Sequence, residues 1–432
     1  MTDYKNKFAN MMSLFRKYSS LGKLLSISLT NQFIASGTNF ALGIYLVRVL
    51  TPQEFGMYGI GSAISLFLSG IGNALFLTQM VVRTPDKKQE DKIPYAARMF
   101  VSLSMFSSLL LMVGLILLIV GWRLDYGIGN YESYVCAVVA AAVSYLTKDF
   151  FIRHAYNQRQ EHIALFINTI LAILMSVLLI LSHMFQVKIN AVIALWIYSL
   201  SHAMTAVVAI IIAKLPVKRV SINGIKKDLK ELLNGGAYSV LAHIIITVRS
   251  QAHTIILPFL LGAVGVAEVN AGRIMISPVA MILPALTQLI LPRLSAARAS
   301  KLDGGRNEGV RYSAMLAVCV AVYSIIILIF YKQAHDILLG DRYNNLNGVV
   351  MAWCIYSLFS AYKSGIEMLI IASKKFKEQV VVNLIGMVVS IVLVYIMSKS
   401  YGAAGSIAAL GISEVVVILT MMSFRSSEIR TN

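Results

Sequence analysis

The sequence predicts an all-α integral membrane protein of about twelve transmembrane helices, built as two related six-helix halves. Three observations carry this. Of 432 residues, 58% are hydrophobic and 13% charged, which no soluble globular chain matches. Apolar stretches long enough to cross a hydrocarbon layer of ~30 Å recur from end to end. One word occurs twice, as Leu77-Thr78-Gln79 running to Arg83 and as Leu286-Thr287-Gln288 running to Arg293. Upstream of each copy lies a loop of similar type, at 50–56 and at 261–267. Paired halves of this kind are typical of transporters.

The first half holds apolar stretches at 24–47, 57–82, 96–120, 133–152, 163–183 and 191–213. The second holds them at 236–261, 267–291, 312–330, 346–372, 380–397 and 402–424. Each must be a helix, because a lipid-facing backbone has no water to satisfy its amides. The halves are expected at 1–220 and 221–432, joined through Leu215-Pro216-Val217-Lys218-Arg219. Before the first stretch, Phe8, Met11, Met12, Phe15 and Tyr18 recur at helical spacing among cations. That segment reads as a short surface helix or a frayed basic tail.

The net charge of +18 suggests nucleic acid, but the charge distribution excludes it. With the N-terminus in the cytoplasm, 29 of the 38 Lys and Arg residues fall on the cytoplasmic side, 6 on the other and 3 inside spans. This bias places both termini in the cytoplasm. Cys136, Cys319 and Cys354 all lie in spans and read as small hydrophobes, with neither a disulfide nor a metal site expected. No cofactor is expected. The chain has no phosphate loop of the GxxxxGK[ST] type, no HExxH and no loop large enough for a nucleotide-driven engine.

Charges inside spans are costly and mark functional positions. Arg249 lies near the middle of the seventh span with no acid in that span, one turn before His253 on the same face, and both are candidates for binding an anionic substrate group. Arg273, Lys363 and Lys148 are further candidates for binding an anionic substrate group. Their bland readings are outward snorkelling, an i,i+4 ion pair with Glu367, and inward snorkelling. Alignment of the halves sets Gln32 opposite His243 and Thr38 opposite Arg249. The first span is correspondingly polar, and Gln32 and Asn39 join the binding candidates. Lys148 lies 20 residues before Asn168, and Lys363 lies 20 before Asn383. Asp149, Glu268, Glu367 and Glu414 are the acids within or at the ends of spans, and so the candidates for ion coupling. Glu414 reads either as a cross-bundle partner of Arg249, Arg273 or Lys363, or as a coupling carboxylate. Pro258, Pro278 and Pro284 permit kinks in spans seven and eight.

Val47-Arg48-Val49-Leu50-Thr51-Pro52-Gln53-Glu54-Phe55-Gly56-Met57-Tyr58 resembles the first-loop signature of the polysaccharide-exporting branch of the multidrug/oligosaccharidyl-lipid/polysaccharide superfamily, nearest to its O-antigen (Wzx-type) flippases. The resemblance implies a V-shaped bundle of two pseudo-twofold-related lobes with a cationic lumen. It implies a bacterial inner-membrane flippase, not an enzyme. The implied substrate is an undecaprenyl-diphosphate-linked oligosaccharide, moved from the cytoplasmic to the periplasmic leaflet by alternating access. A polysaccharide polymerase and a chain-length regulator are the implied protein partners, with no nucleic acid. Any uphill transport would draw on a proton or sodium gradient or on consumption of the flipped product. The alternatives are a cation-coupled multidrug exporter and a membrane glycan polymerase or ligase. The first expects an acid in the first span, and 24–47 contains no Asp or Glu. The second expects catalytic groups in a sizeable outer loop, and the outer loops are short.

Overall fold

The computed structural model describes the backbone of residues 2–123, 131–299, 304–343, 346–372 and 376–427. Side chains are described for 26–123, 131–232, 237–279, 310–343, 346–368 and 378–423. Among the described residues the secondary structure is helical throughout, with no strand. Nine helical stretches among the described residues are long and apolar enough to cross a membrane, or ten if a bent pair counts as one span.

In chain order the helices are α1 (Thr2–Val49), α2 (Pro52–Gly72), α3 (Thr78–Arg83), α4 (Lys92–Arg123), α5 (Tyr131–Asn157), α6 (Glu161–Met184) and α7 (Ala191–Ala213). There follow α8 (Ile222–Ser250), α9 (Ala252–Ala299), α10 (Gly304–Ile329), α11 (Tyr331–Leu338), α12 (Asn347–Ala372) and α13 (Phe376–Ser427). α1 runs unbroken from Thr2, so the N-terminal segment continues the first span instead of forming a separate element. α1 is absent from the apolar set, consistent with its run of Ser28, Thr30, Asn31, Gln32, Ser36, Thr38 and Asn39. The bent pair lies in α8, where Ile222–Leu232 meets Ala237–Ser250 at 55°. A π-helical turn, Asn73–Leu77, joins α2 to α3.

Two of the longest helices are hairpins. Gly402 breaks α13 at φ 60°, ψ −143°, a conformation that a Cβ opposes. Beyond it the chain returns. Ser390 Oγ donates to Ser413 Oγ at 2.7 Å, whereas 23 residues of straight helix would separate them by ~35 Å. α9 turns in the same way at Gly262, φ 69° and ψ −169°. The expected kinks at Pro258, Pro278 and Pro284 are therefore not where the chain reverses. The reversals sit at glycines. The second Leu-Thr-Gln copy falls in α9, but its side chains, with those of Pro284 and Arg293, lie outside the described residues.

The ends at Leu50, Gly262 and Gly402 are the cation-poor side that the charge bias assigns away from the cytoplasm, and are called outer below. The largest core cluster lies at this end and joins both halves, with Leu46, Leu50 and Phe55 against Val266, Val269, Val350 and Ile407. A second cluster sits toward the inner end, where Phe76, Met80, Tyr95 and Phe150 pack with Leu232 of α8. Between these two seals lies the central space. α4 turns Leu109, Leu111, Met112, Leu115 and Ile116 outward, the lipid face of a spanning helix.

Candidate functional site: a polar cavity between the halves

A cavity of about 380 Å³ opens between α1, α2, α5 and α7 on one side and both arms of α9, before and after the Gly262 turn, on the other. Its polar lining includes Asn39, Ser62, Ser69, Tyr145, Tyr198, Gln251, Thr254 and Asn270. Arg273 is the one charged side chain among its described lining residues. Eleven residues beyond Gly262, Arg273 sits ~16 Å below the outer turn, near mid-bilayer. Its guanidinium lies 5.9 Å from the ring centre of Trp353, whose Nε1 donates to Val269 O at 2.9 Å. This cation–π contact holds the head in place while leaving its donors to the cavity. Arg273 is exposed and lines the cavity. Asn39 is exposed on the same cavity, and its amide donates to Ala35 O. Gln32 donates to Ser36 Oγ at 3.1 Å and lines no described cavity. The tyrosines and Asn270 were not singled out from sequence. The signal available was Asn270 one helical turn before Arg273 on the same face.

The other cations are elsewhere. Arg249 is 5% exposed and lines none of the described cavities. Its NH1 donates to Glu414 Oε2 at 3.1 Å. Lys363 Nζ lies 2.9 Å from the same oxygen. The expected Lys363–Glu367 pair is corrected: Glu367 instead accepts from Gln379 Nε2 at 2.8 Å. Depth explains the partner choice. Arg249 lies 13 residues before the Gly262 turn and Glu414 lies 12 beyond the Gly402 turn, so the two heads reach one level. Glu414 is thus the cross-bundle partner of both cations, and three buried charges carry a net +1. The Nε of Arg249 has no hydrogen-bond partner among the described residues. Glu268 is half-buried near the outer end of α9.

Lys148 is 5% exposed within the first half. Its ammonium lies 3.5 Å from Asn168 Oδ1 and 5.3 Å from the Tyr145 ring centre. Asn168 donates to Asn31 Oδ1, and Asn31 donates to the Tyr156 hydroxyl. The 20-residue spacing is therefore a contact in the first half. Its counterpart is not one, since Asn383 donates to Gln379 O. Asp149 accepts from Arg153 at 3.0 Å and from Asn73 at 3.2 Å. His253 is 2% exposed, and neither ring nitrogen has a hydrogen-bond partner among the described residues.

Both ends of the cavity are sealed by contacts between the halves. At the outer end the loop signature acquires a physical reading. Thr51 caps α2 by accepting from Glu54 N, and Pro52 occupies the first helical position. Glu54 accepts from Ala191 N at 2.6 Å, placing a carboxylate at the N-terminus of α7. Gly56 abuts the α9 turn so closely that a Cβ would collide with the backbone carbonyl of Ala263. At the inner end Arg83 pairs with Glu231 at 3.1 Å, Arg98 with Asp228 at 2.5 Å, and Gln79 donates to Ser239.

The fold recurs in solved proteins. A lipid II flippase MurJ in an inward closed conformation matches with a TM-score of 0.70 at 14% identity, over 93% of this chain and 87% of that one. An inward-facing MATE-family multidrug resistance transporter of the MOP superfamily matches with a TM-score of 0.64 at 16% identity, over 93% and 96%. These likenesses establish the fold, and it is the expected one. By sequence, the chain is 23% identical over 411 residues to the "Putative O-antigen transporter" of Escherichia coli (strain K12), covering 90% of this chain and 94% of that protein. A family model described as polysaccharide biosynthesis protein matches residues 21–298, well over half the chain. The protein belongs to the polysaccharide biosynthesis protein family.

Proposed function

We propose that this protein is a flippase of the bacterial cytoplasmic membrane, with twelve spans, cytoplasmic termini and lobes at 1–220 and 221–432. It carries an undecaprenyl-diphosphate-linked oligosaccharide, an O-antigen or similar repeat unit, from the cytoplasmic to the periplasmic leaflet by alternating access. One observation carries the reading: a mid-depth cavity between the halves in which Arg273 is the one charged side chain among the described lining residues, the others being neutral polar and apolar groups. A diphosphate is a strong acceptor for a guanidinium fork, and the neutral polar lining suits hydroxyl groups. The relatives are named as transporters, which supports carriage over chemistry. The flipped product would pass to a polymerase and chain-length regulator in the outer leaflet. Uphill movement would draw on a proton or sodium gradient or on consumption of that product.

The test is surface glycan in cells lacking the native gene. Arg273→Gln should abolish it at normal protein level, and Arg273→Lys should restore part of it, because charge survives without the fork. A fully active Gln variant defeats the assignment. Extrusion of cationic drugs with no effect on glycan would instead favour a multidrug exporter.

A further inference from the structure

The crossing between the halves carries more charge than the fold pairs. α7 ends on the inner side at Ala213, and the chain enters the second half through the first arm of α8, Ile222–Leu232, set at 55° to the arm that follows. Residues 214–232 hold six cations, Lys214, Lys218, Arg219, Lys226, Lys227 and Lys230, against two acids, Asp228 and Glu231. All six cations are exposed, and none makes an ion pair among the described residues. Both acids are taken by the first half, Asp228 by Arg98 and Glu231 by Arg83. We propose that the exposed face of this arm is a docking surface for anionic phospholipid headgroups of the inner leaflet.

Successive residues turn by ~100° around a helix, which puts Ile222, Asn223, Lys226, Lys227 and Lys230 on one side of the arm and Ile225, Asp228, Leu229 and Leu232 on the other. The first set is exposed, and the second is buried or half-buried. Leu232 and Leu229 pack into the inner core cluster with Tyr95 and Phe150. Ile222 is 71% exposed, and Val217 just before the arm is 40% exposed. Lysines around an exposed isoleucine, on a helix whose other face is packed, suit a bilayer interface: the apolar side chain enters and the ammonium groups stay at phosphate level. The segment follows directly on a spanning helix, so its charges sit near the inner headgroups and attract the anionic ones. The form of the surface decides the occupant. The six cations line none of the described cavities, so no wall orients a single ligand. Five of the six are lysines, point charges on flexible stems, which suit mobile headgroups, whereas a diphosphate clamp calls for a guanidinium fork. The inner loop of the first half lacks this excess, since 84–92 sets Lys87, Lys88 and Lys92 among Asp86, Glu90 and Asp91. The docking face and half of the inner seal are thus two sides of one short helix.

The test counts retained lipids by native mass spectrometry on the purified full chain, released from vesicles of equimolar phosphatidylglycerol and phosphatidylcholine. The wild type should retain phosphatidylglycerol in preference, and the preference should fall as salt rises, because exposed charges are screened. The triple variant Lys226→Gln, Lys227→Gln, Lys230→Gln changes only exposed side chains, so it should melt with the wild type and lose the preference by at least about fivefold. Lys226→Arg, Lys227→Arg, Lys230→Arg should keep it, which covers the case of a Gln variant that does not fold. Removing the same charge from the other inner loop, through Lys87→Gln, Lys88→Gln, Lys92→Gln, should leave the preference in place. A folded Gln variant of the arm that still prefers phosphatidylglycerol overturns the surface. So does an Arg variant that loses the preference, an equal loss in the 84–92 variant, or a wild type with no preference. Undecaprenyl diphosphate added to the same vesicles should not displace the phosphatidylglycerol. Displacement that the Gln variant of the arm abolishes would make this a substrate entry site and overturn the headgroup assignment.

Discussion

Arg48 and Arg342 cap one another's helices across the outer seam. Arg48, in the last turn of α1, donates to the carbonyls of Asp336 and Ile337, in the last turn of α11. Arg342, just beyond α11, donates through NH1 to Leu50 O at 2.9 Å, the carbonyl that follows α1. Helix C-termini leave carbonyls without partners, and cations are favoured there. The exchange ties the first half to the second at the end where Gly56 meets Ala263.

The outer seam should therefore open on losing these contacts while the fold survives. The double variant Arg48→Ala, Arg342→Ala removes contacts worth on the order of 1 kcal/mol together at exposed positions. Gly56→Ala inserts a methyl where the backbone of Ala263 stands. Each should shift the outer end toward open states and slow transport, with the Gly56 variant more severe. Spin labels at Gln53 and Val264, both exposed, would report the separation. An unchanged distance distribution in Gly56→Ala would refute the seam.

The buried cluster of Arg249, Lys363 and Glu414 predicts an asymmetry. Lys363→Met leaves one cation on one carboxylate and should change stability by less than about 1 kcal/mol. Glu414→Gln leaves two buried cations without a counter-ion and should cost roughly 3–5 kcal/mol. Thermal unfolding in detergent distinguishes the two, and equal effects would refute the account. Ion coupling through Glu414 would require one of these cations to leave first. Glu414→Gln in vesicles under an imposed gradient tests that only where the variant folds.

The inner seam should depend more on Arg98–Asp228 than on Arg83–Glu231. The side chain of Asp228 is 6% exposed, that of Glu231 41%. A buried charged hydrogen bond is worth ~1.5–3 kcal/mol, an exposed pair about 0–1. Asp228→Asn should loosen the inner end, read as faster cross-linking loss between cysteines placed at Gln79 and Ser239. Glu231→Gln should barely change it. Exchanging the charges of Arg98 and Asp228 should restore part of the loss.

The lipid-crossing segments were legible because their signal is local. Hydropathy over a helix length needs no partner, and the polarity of Ser28 through Asn39 already placed that face inside. The cost of a buried charge flagged Arg249, Lys363 and Glu414 individually. Their pairing was legible only as one of two readings of Glu414, because it depends on the Gly402 reversal bringing Glu414 back to the depth of Arg249. The i,i+4 rule favoured Glu367 for Lys363, and tertiary packing overrode it. The cavity tyrosines were invisible for the opposite reason. Tyrosine is common on any membrane helix, and only the packing of α5, α7 and α9 around α2 gives Tyr145 and Tyr198 a shared space with Arg273.

Lys148 separates a structural cation from a working one. Its ammonium is nearly fully buried, yet its described contacts are soft: one amide oxygen at 3.5 Å and the face of Tyr145 at 5.3 Å. A desolvated cation held this weakly is poor structural glue. Lys148→Met keeps the stem and removes the charge, so its melting temperature should equal or exceed the wild type. Tyr145 lines the central cavity three residues, one helical turn, from Lys148. A modest movement of α5 would carry the ammonium from the ring face to the cavity, where a diphosphate would meet it. Lys148→Met should then lose at least tenfold in surface glycan while remaining folded, and Lys148→Arg should recover part of it. Asn168→Leu removes the amide oxygen and should weaken transport less than Lys148→Met, because the charge remains. Full transport by a well-folded Lys148→Met variant would exclude Lys148 from the substrate path and leave Arg273 as the mid-membrane cation on which carriage depends.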